Sequence, residues 1–348
     1  MAVPASPVPG VWRLVEPPVT NETDVTALGY RLTSYTYAQV LLQVRYVGFI
    51  VLIPLVLAVG MLLHRLPYYA QSFIGDNARL RTGVKHLLVE DDNKAFAMSL
   101  AGYIVAVGMV ARGAVSAGNY YFGEGILINE AEAFGFACAW AAIGLAMLFL
   151  CHTVGRALLS SRVFFDSGNA VFDGNTAIGF LEGGYYIASG LIIMNTALSA
   201  RVVAFEENVY AALLYFALGQ ICLLLFTKVY QYTTRYDDIE ELAAANVAAG
   251  VGYALTIIAI GQLIANPVGK SHSALAFTLS FLLGTTLLAL TRLLVDILFL
   301  PGRLLDKEIA IDKNWGAALL EGTVAIVVGL VWSTFLADST PPDAFIVC

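Results

Sequence analysis

Eight stretches of this chain are each long and apolar enough to cross a bilayer, and that feature limits the fold more than any other. A hydrocarbon layer of ~30 Å takes ~20 residues of helix. The spans read as 38–63, 95–115, 132–158, 176–198, 208–231, 247–265, 275–300 and 315–336. Hydrophobic side chains make up 59% of the 348 residues and charged ones 13%, and mean hydropathy is +0.75. A soluble fold could not bury that much apolar surface on itself. Inside lipid every backbone N–H and C=O must be paired within the segment, so runs of this length predict helices. The fold class is therefore an all-α polytopic membrane protein whose first partner is the lipid bilayer.

The chain divides into a tail (1–37), a first four-helix half (38–200), a second four-helix half (201–336) and a short tail (337–348). The first tail carries Pro4, Pro7, Pro9, Pro17 and Pro18 without a basic segment leading into an apolar core, so a cleavable signal is not expected. Lys and Arg fall unevenly between the two sides, twelve on one and five on the side holding both termini. The positive-inside bias then predicts extracytoplasmic termini on a protein of the plasma (inner) membrane. The four cysteines, Cys138, Cys151, Cys222 and Cys348, show no paired spacing, so neither a disulfide framework nor a zinc site is expected. A net charge of −7 without a basic patch gives no footprint for nucleic acid.

A repeat lies within the spans. Four lines align without a gap: NKAFAMSLAGYIVAVG from Asn93, NTAIGFLEGGYYIASG from Asn175, NVAAGVGYALTIIAIG from Asn246 and NWGAALLEGTVAIVVG from Asn314. Fifteen residues after each Asn stands Gly108, Gly190, Gly261 or Gly329. Glycine is only 31 of 348 residues, so four coincidences at one offset argue for internal repetition. The reading is four helical hairpins of roughly 70–80 residues, all pointing the same way, as two pseudo-equivalent four-helix halves. The four asparagines are expected to cap helix starts, since Asn is a preferred N-cap. The glycines are expected to let helices approach closely, because lipid supplies no hydrophobic drive between helices.

The Asn start, the small-residue stripe and the acidic stretches before it (EDDN, FDGN, YDDIEELAAAN, DKN) resemble the YjfL-like bacterial inner-membrane family, known as domain of unknown function 350. The chain resembles two members fused in tandem. The third copy departs from the pattern, with Leu255 where the first two have Gly102 and Gly184, and Tyr253 two residues earlier. The resemblance implies an integral membrane protein of no established activity, associated with envelope stress.

Seven residues after the Asn, the second and fourth copies carry Glu182 and Glu321. That places each carboxylate ~10 Å inside its helix, beyond the reach of simple snorkelling. An uncompensated charge at depth costs ~2.5–3.5 kcal/mol, so each should be paired or protonated and face the bundle. Arg292 and Asp296 share one face of span seven, and His152 and Arg156 one face of span three. The expectation is Glu321 near Arg292, and Glu182 near His152 or Arg156.

No nucleotide-binding, hydrolase or metalloprotease motif occurs, so no catalytic residue, metal or cofactor is assigned and enzyme activity is not expected. The leading functional reading is a channel or permease for protons, cations or small cationic solutes, using Glu182 and Glu321. The alternative is a scaffold or accessory subunit held to other membrane subunits or to copies of itself.

Overall fold

The computed structural model describes residues 48–67, 83–123, 130–159, 161, 170–198, 205–271 and 274–338. The expectations for residues 1–47 and 339–348 lie outside them. Eight helices have the length and composition to cross a membrane: α1 (Gly48–Pro67), α2 (Lys94–Gly123), α3 (Ala131–Leu159), α4 (Thr176–Leu198), α5 (Phe205–Thr233), α6 (Val247–Ser271), α7 (Ala274–Leu298) and α8 (Trp315–Asp338). Among the described residues there is no strand. The first helix runs on to Pro67, four residues past its expected end, which brings His64 into it. In α3 a π-helical turn, Cys151–Gly155, precedes Arg156. Such a turn adds one residue to the local winding and re-aims the side chains beyond it.

The even-numbered helices form a row. Along α2 and α4 the contacts run from Ala95–Gly179 through Gly102–Gly183 to Ala106–Gly190, both numbers rising together, so these helices are parallel neighbours. Between α4 and α6 they run Ala177–Gly250, Gly184–Ala254, Ala188–Gly261. Between α6 and α8 they run Leu255–Gly322 and Ala259–Gly329. Counted from the asparagines, all three interfaces join offset nine to eight and thirteen to fifteen. A helix thus shows one small-residue face to the helix before it and another to the helix after it.

These approaches exclude a side chain. A Cβ on Gly250 would lie 2.6 Å from Ala177 Cα, and one on Gly190 2.8 Å from Ala106 Cα. Backbone contact of this kind maximises dispersion where lipid gives no other drive. Gly108 is the exception among the four expected packing glycines: it is exposed, and a Cβ there would meet nothing within 4 Å. The reason is its place in the row. Offset fifteen faces the preceding even helix, and α2 has none before it.

Burial follows the same order, with 83% of the α4 span and 78% of the α6 span buried, against 28% for α1 and α7. The odd-numbered helices pack on the row: α3 on α2 and α4, α5 on α4 and α6, α7 on α6 and α8. Rings of α1 and α2 meet where His64 lies 4.7 Å from Tyr103.

Each even helix starts in the same way. The residue before the Asn is left-handed: Asp92 (φ 45°), Gly174 (φ 88°), Ala245 (φ 57°) and Lys313 (φ 49°). That kink turns a short preceding segment, helical before α2, α6 and α8 and a turn before α4, into the start of the long helix. The Asn side chain then accepts from its own first turn: Asn93 Oδ1 from Phe96 N at 2.9 Å, Asn175 Oδ1 from Ile178 N at 3.2 Å, Asn246 Oδ1 from Ala248 N at 3.0 Å and Asn314 Oδ1 from Gly316 N at 3.1 Å. The amide half reaches the linker of the next even helix. Asn93 Nδ2 donates to the carbonyls of Val171 and Phe172, Asn175 Nδ2 to Leu242, and Asn246 Nδ2 to Ile309. Asn314, on the last helix, donates to Glu308 of its own linker.

Candidate functional site

Two buried carboxylates sit at one depth in the row, each met by a guanidinium from an odd-numbered helix. In the first half the α4 start places Glu182 inward, 4% exposed. Arg156, re-aimed by the π turn of α3, donates from Nε to Glu182 Oε1 at 2.9 Å. Ser99 Oγ of α2 donates to Glu182 Oε2 at 2.9 Å, so both oxygens are occupied. Phe172, in the linker before α4, lies under the guanidinium with its ring centroid 5.2 Å from Cζ. Three helices meet at this one carboxylate.

His152 is not the partner of Glu182. Its Nε2 donates to the His64 carbonyl at 3.1 Å, which leaves Nδ1 to accept from the Tyr186 hydroxyl at 2.8 Å. The His64 and His152 rings stack with centroids 4.5 Å apart. Both sit in an aromatic cluster with Tyr103 and Tyr186 that ties α1 and α3 to the row.

In the second half Glu321 of α8 is 1% exposed. Arg292 of α7 donates from Nη1 to Glu321 Oε1 at 2.7 Å, and from Nη2 to Asp306 Oδ1 at 2.6 Å. Tyr230 of α5 donates to Glu321 Oε1 at 3.1 Å and accepts from Arg292 Nη1 at 2.7 Å. Asp306 lies in the short helix Leu305–Ala310 and also faces the exposed Arg235, at 4.0 Å. Asp296 has a different role: its Oδ1 accepts from Leu305 N at 2.7 Å and so caps that short helix, whose own N-cap, Leu304, has no side-chain oxygen.

Just outside the membrane span, Asp238 is buried in the short helix Asp238–Ala243 and accepts from Thr234 Oγ1 at 2.6 Å. Burial pushes its carboxyl up to about 7, against the lowering effect of Thr234 and Arg292. Burial likewise raises the neighbouring Tyr236 phenol.

Beyond Tyr230 and Asp306, the two clusters differ at the residue facing the second carboxylate oxygen. Ser99 stands six residues after Asn93, and the residue six after Asn246 is Gly252. Where Ser99 donates to Glu182, the second half has Gly252 and no hydroxyl at that offset, and among the described residues Glu321 Oε2 has no hydrogen-bond partner. A Cβ on Gly252 would come to 3.4 Å from that oxygen. Sequence reasoning weighed Glu182, Glu321, Arg156 and Arg292 but not Ser99, Tyr230 or Asp306. Ser99 was open to discovery, because its offset matches Gly252 once the repeat is written out. Asp306 was not, because it lies outside the spans in a linker whose fold the pattern did not show.

A third feature is apolar. Across α2, α4, α6 and α8 runs a groove of ≈ 360 Å³ lined by residues including Met98, Gly102, Phe180, Gly184, Leu255, Trp315 and Leu319. Neither Glu182 nor Glu321 lines it. Among the described residues no three His, Cys, Asp or Glu side chains come together in a way that could hold a metal.

Parallel small-residue helices in a row, braced by carboxylate–guanidinium clusters, define a multi-pass integral membrane protein. The model of the family described as Domain of Unknown Function (DUF350) matches the chain twice, over residues 36–197 and 204–336, and the chain belongs to that family. No curated protein and no solved structure matched it.

Proposed function

We propose that the protein is a non-enzymatic membrane scaffold, an accessory subunit that holds other membrane chains, or copies of itself, against its row of even-numbered helices. The observation that carries this reading is the closure of both intramembrane carboxylates by guanidinium groups, 2.9 Å at Glu182 and 2.7 Å at Glu321, across helix interfaces. Groups engaged in this way fix one packing arrangement, whereas a translocation site must exchange its partners for solute. The repeated offsets support a further architectural inference: four hairpins in parallel, related about an axis along the membrane normal, with termini outside and the Asn ends at the cytoplasmic face of the plasma membrane.

The test combines two measurements on the full chain. Photo-cross-linkers at Ala101 and Leu319, both on the even-helix face, should capture a membrane protein chain in native membranes. Vesicles containing the purified protein should pass protons and potassium no faster than protein-free vesicles. A flux that disappears in the Glu182→Gln, Glu321→Gln double variant would overturn the scaffold reading in favour of transport.

A further inference from the structure

We propose that Glu321 is a proton-binding site, and that it is one because the second half lacks the hydroxyl that closes the first. The proposal goes beyond the scaffold role and does not depend on it.

Two independent observations meet here. The first is charge. Among the described residues Arg292 is the one guanidinium in direct contact with Glu321, and it is shared with Asp306 at 2.6 Å. Arg235, the second cation near Asp306, stands 4.0 Å away with its side chain 74% exposed, so water screens much of its effect. Asp296 and Asp238 add further carboxylates on neighbouring elements. The titratable and charged groups around Glu321 are thus Tyr230 from α5, Tyr236 and Asp238 from the segment after it, Tyr253 from α6 through its contact with the Tyr230 ring, Arg292 and Asp296 from α7, and Asp306 from the short helix Leu305–Ala310. Carboxylates outnumber buried cations.

The second observation is the orphaned oxygen. Glu321 Oε2 is buried and has no hydrogen-bond partner among the described residues, and it points towards Gly252. An ionised carboxylate with one oxygen unsatisfied in a low-dielectric interior is costly. A proton on Oε2 removes the surplus charge. It also needs no added volume, and the space at Gly252 holds little more than a methyl group, with Ala318 Cβ at 3.6 Å from a Cβ placed there. Glu182 offers no such place, since Ser99 and Arg156 hold both of its oxygens.

The experiment is a pH titration of the full chain in lipid vesicles, read by difference infrared spectroscopy in the carbonyl stretch of protonated carboxyl groups. In a chain carrying Asp238→Asn, so that the carboxyl raised to about 7 contributes no band of its own, acidification should produce a band that is lost in Glu321→Gln and kept in Glu182→Gln. Gly252→Ser, which restores the hydroxyl of the first half, should lower the proton affinity of that band about tenfold, a hydrogen bond to a charged group being strong enough for such a change. Gly252→Ala fills the space without a donor and should leave the affinity unchanged or raise it, because a methyl group beside the oxygen can only desolvate the charged form. A band unaffected by Glu321→Gln would overturn the proposal. So would a band that responds to potassium at fixed pH, which would assign the place to a cation, or a Gly252→Ser titration identical to wild type.

Discussion

Ser99 and Gly252 stand at the same offset from their capping asparagines, and each faces a buried glutamate of the following even helix. The pair marks one place where the two clusters differ, a hydroxyl present beside one carboxylate and absent beside the other. In the first half that hydroxyl completes the carboxylate. Ser99→Ala keeps the Cβ and removes only the donor, leaving Glu182 Oε2 without it in the interior. The expected loss is about 1.5–3 kcal/mol of unfolding free energy, because the donor serves a charged acceptor. Equilibrium unfolding in lipid–detergent mixtures measures it.

The asparagines predict a ranking. Asn246 Oδ1 caps α6 while its Nδ2 holds the Ile309 carbonyl of the linker before α8, so Asn246→Ala loses a cap and a buried tie together. Asn314 caps α8 but donates only within its own exposed linker. Asn246→Ala should cost about 2 kcal/mol and Asn314→Ala about 1 kcal/mol in the same unfolding assay.

The row of even helices predicts a contrast between two glycines that look alike in the sequence. Gly250 meets the Ala177 backbone, so Gly250→Val must push α4 and α6 apart and should cost more than about 3 kcal/mol or prevent folding. Gly108 faces open space, so Gly108→Val should change stability by less than about 0.5 kcal/mol. Thermal unfolding of the two variants beside the parent settles the order.

Asp238 predicts a pH dependence. Its folded carboxyl is raised to about 7 from an ordinary 3.8. The folded state therefore holds the proton more tightly than the unfolded chain. The stability this gives is fully present below about pH 4 and is lost as pH rises through about 7. Asp238→Asn should flatten that slope and gain a few kcal/mol at about pH 8 relative to the parent. Unfolding midpoints at about pH 5 and about pH 8, compared between the two chains, check the sign.

Much of this arrangement was open to a reader of the sequence. The spans follow from length and apolarity alone, and the four helix-capping asparagines stand in register in the sequence. The depth of Glu182 and Glu321 follows from counting along a helix. Two things were hidden. Gly108 matches Gly190, Gly261 and Gly329 in every local respect, yet only the order of helices in the row decides which has a neighbour, and order is a property of the whole. The partners of the carboxylates were half legible. Helical spacing put His152 and Arg156 on one face, but a π turn between them sent one to Tyr186 and the other to Glu182. The left-handed residues before each Asn were also hidden, because only Gly174 advertises its backbone; Asp92, Ala245 and Lys313 do not.

The central claim is that Glu321 and Arg292 are partners that brace α8 against α7. A double-mutant cycle with Glu321→Gln, Arg292→Gln and the two together, read by unfolding free energy in lipid, tests it most directly. The account predicts that each single change costs about 3–5 kcal/mol while the double costs much less than their sum, the coupling being at least about 2 kcal/mol. Additive losses with no coupling would contradict it.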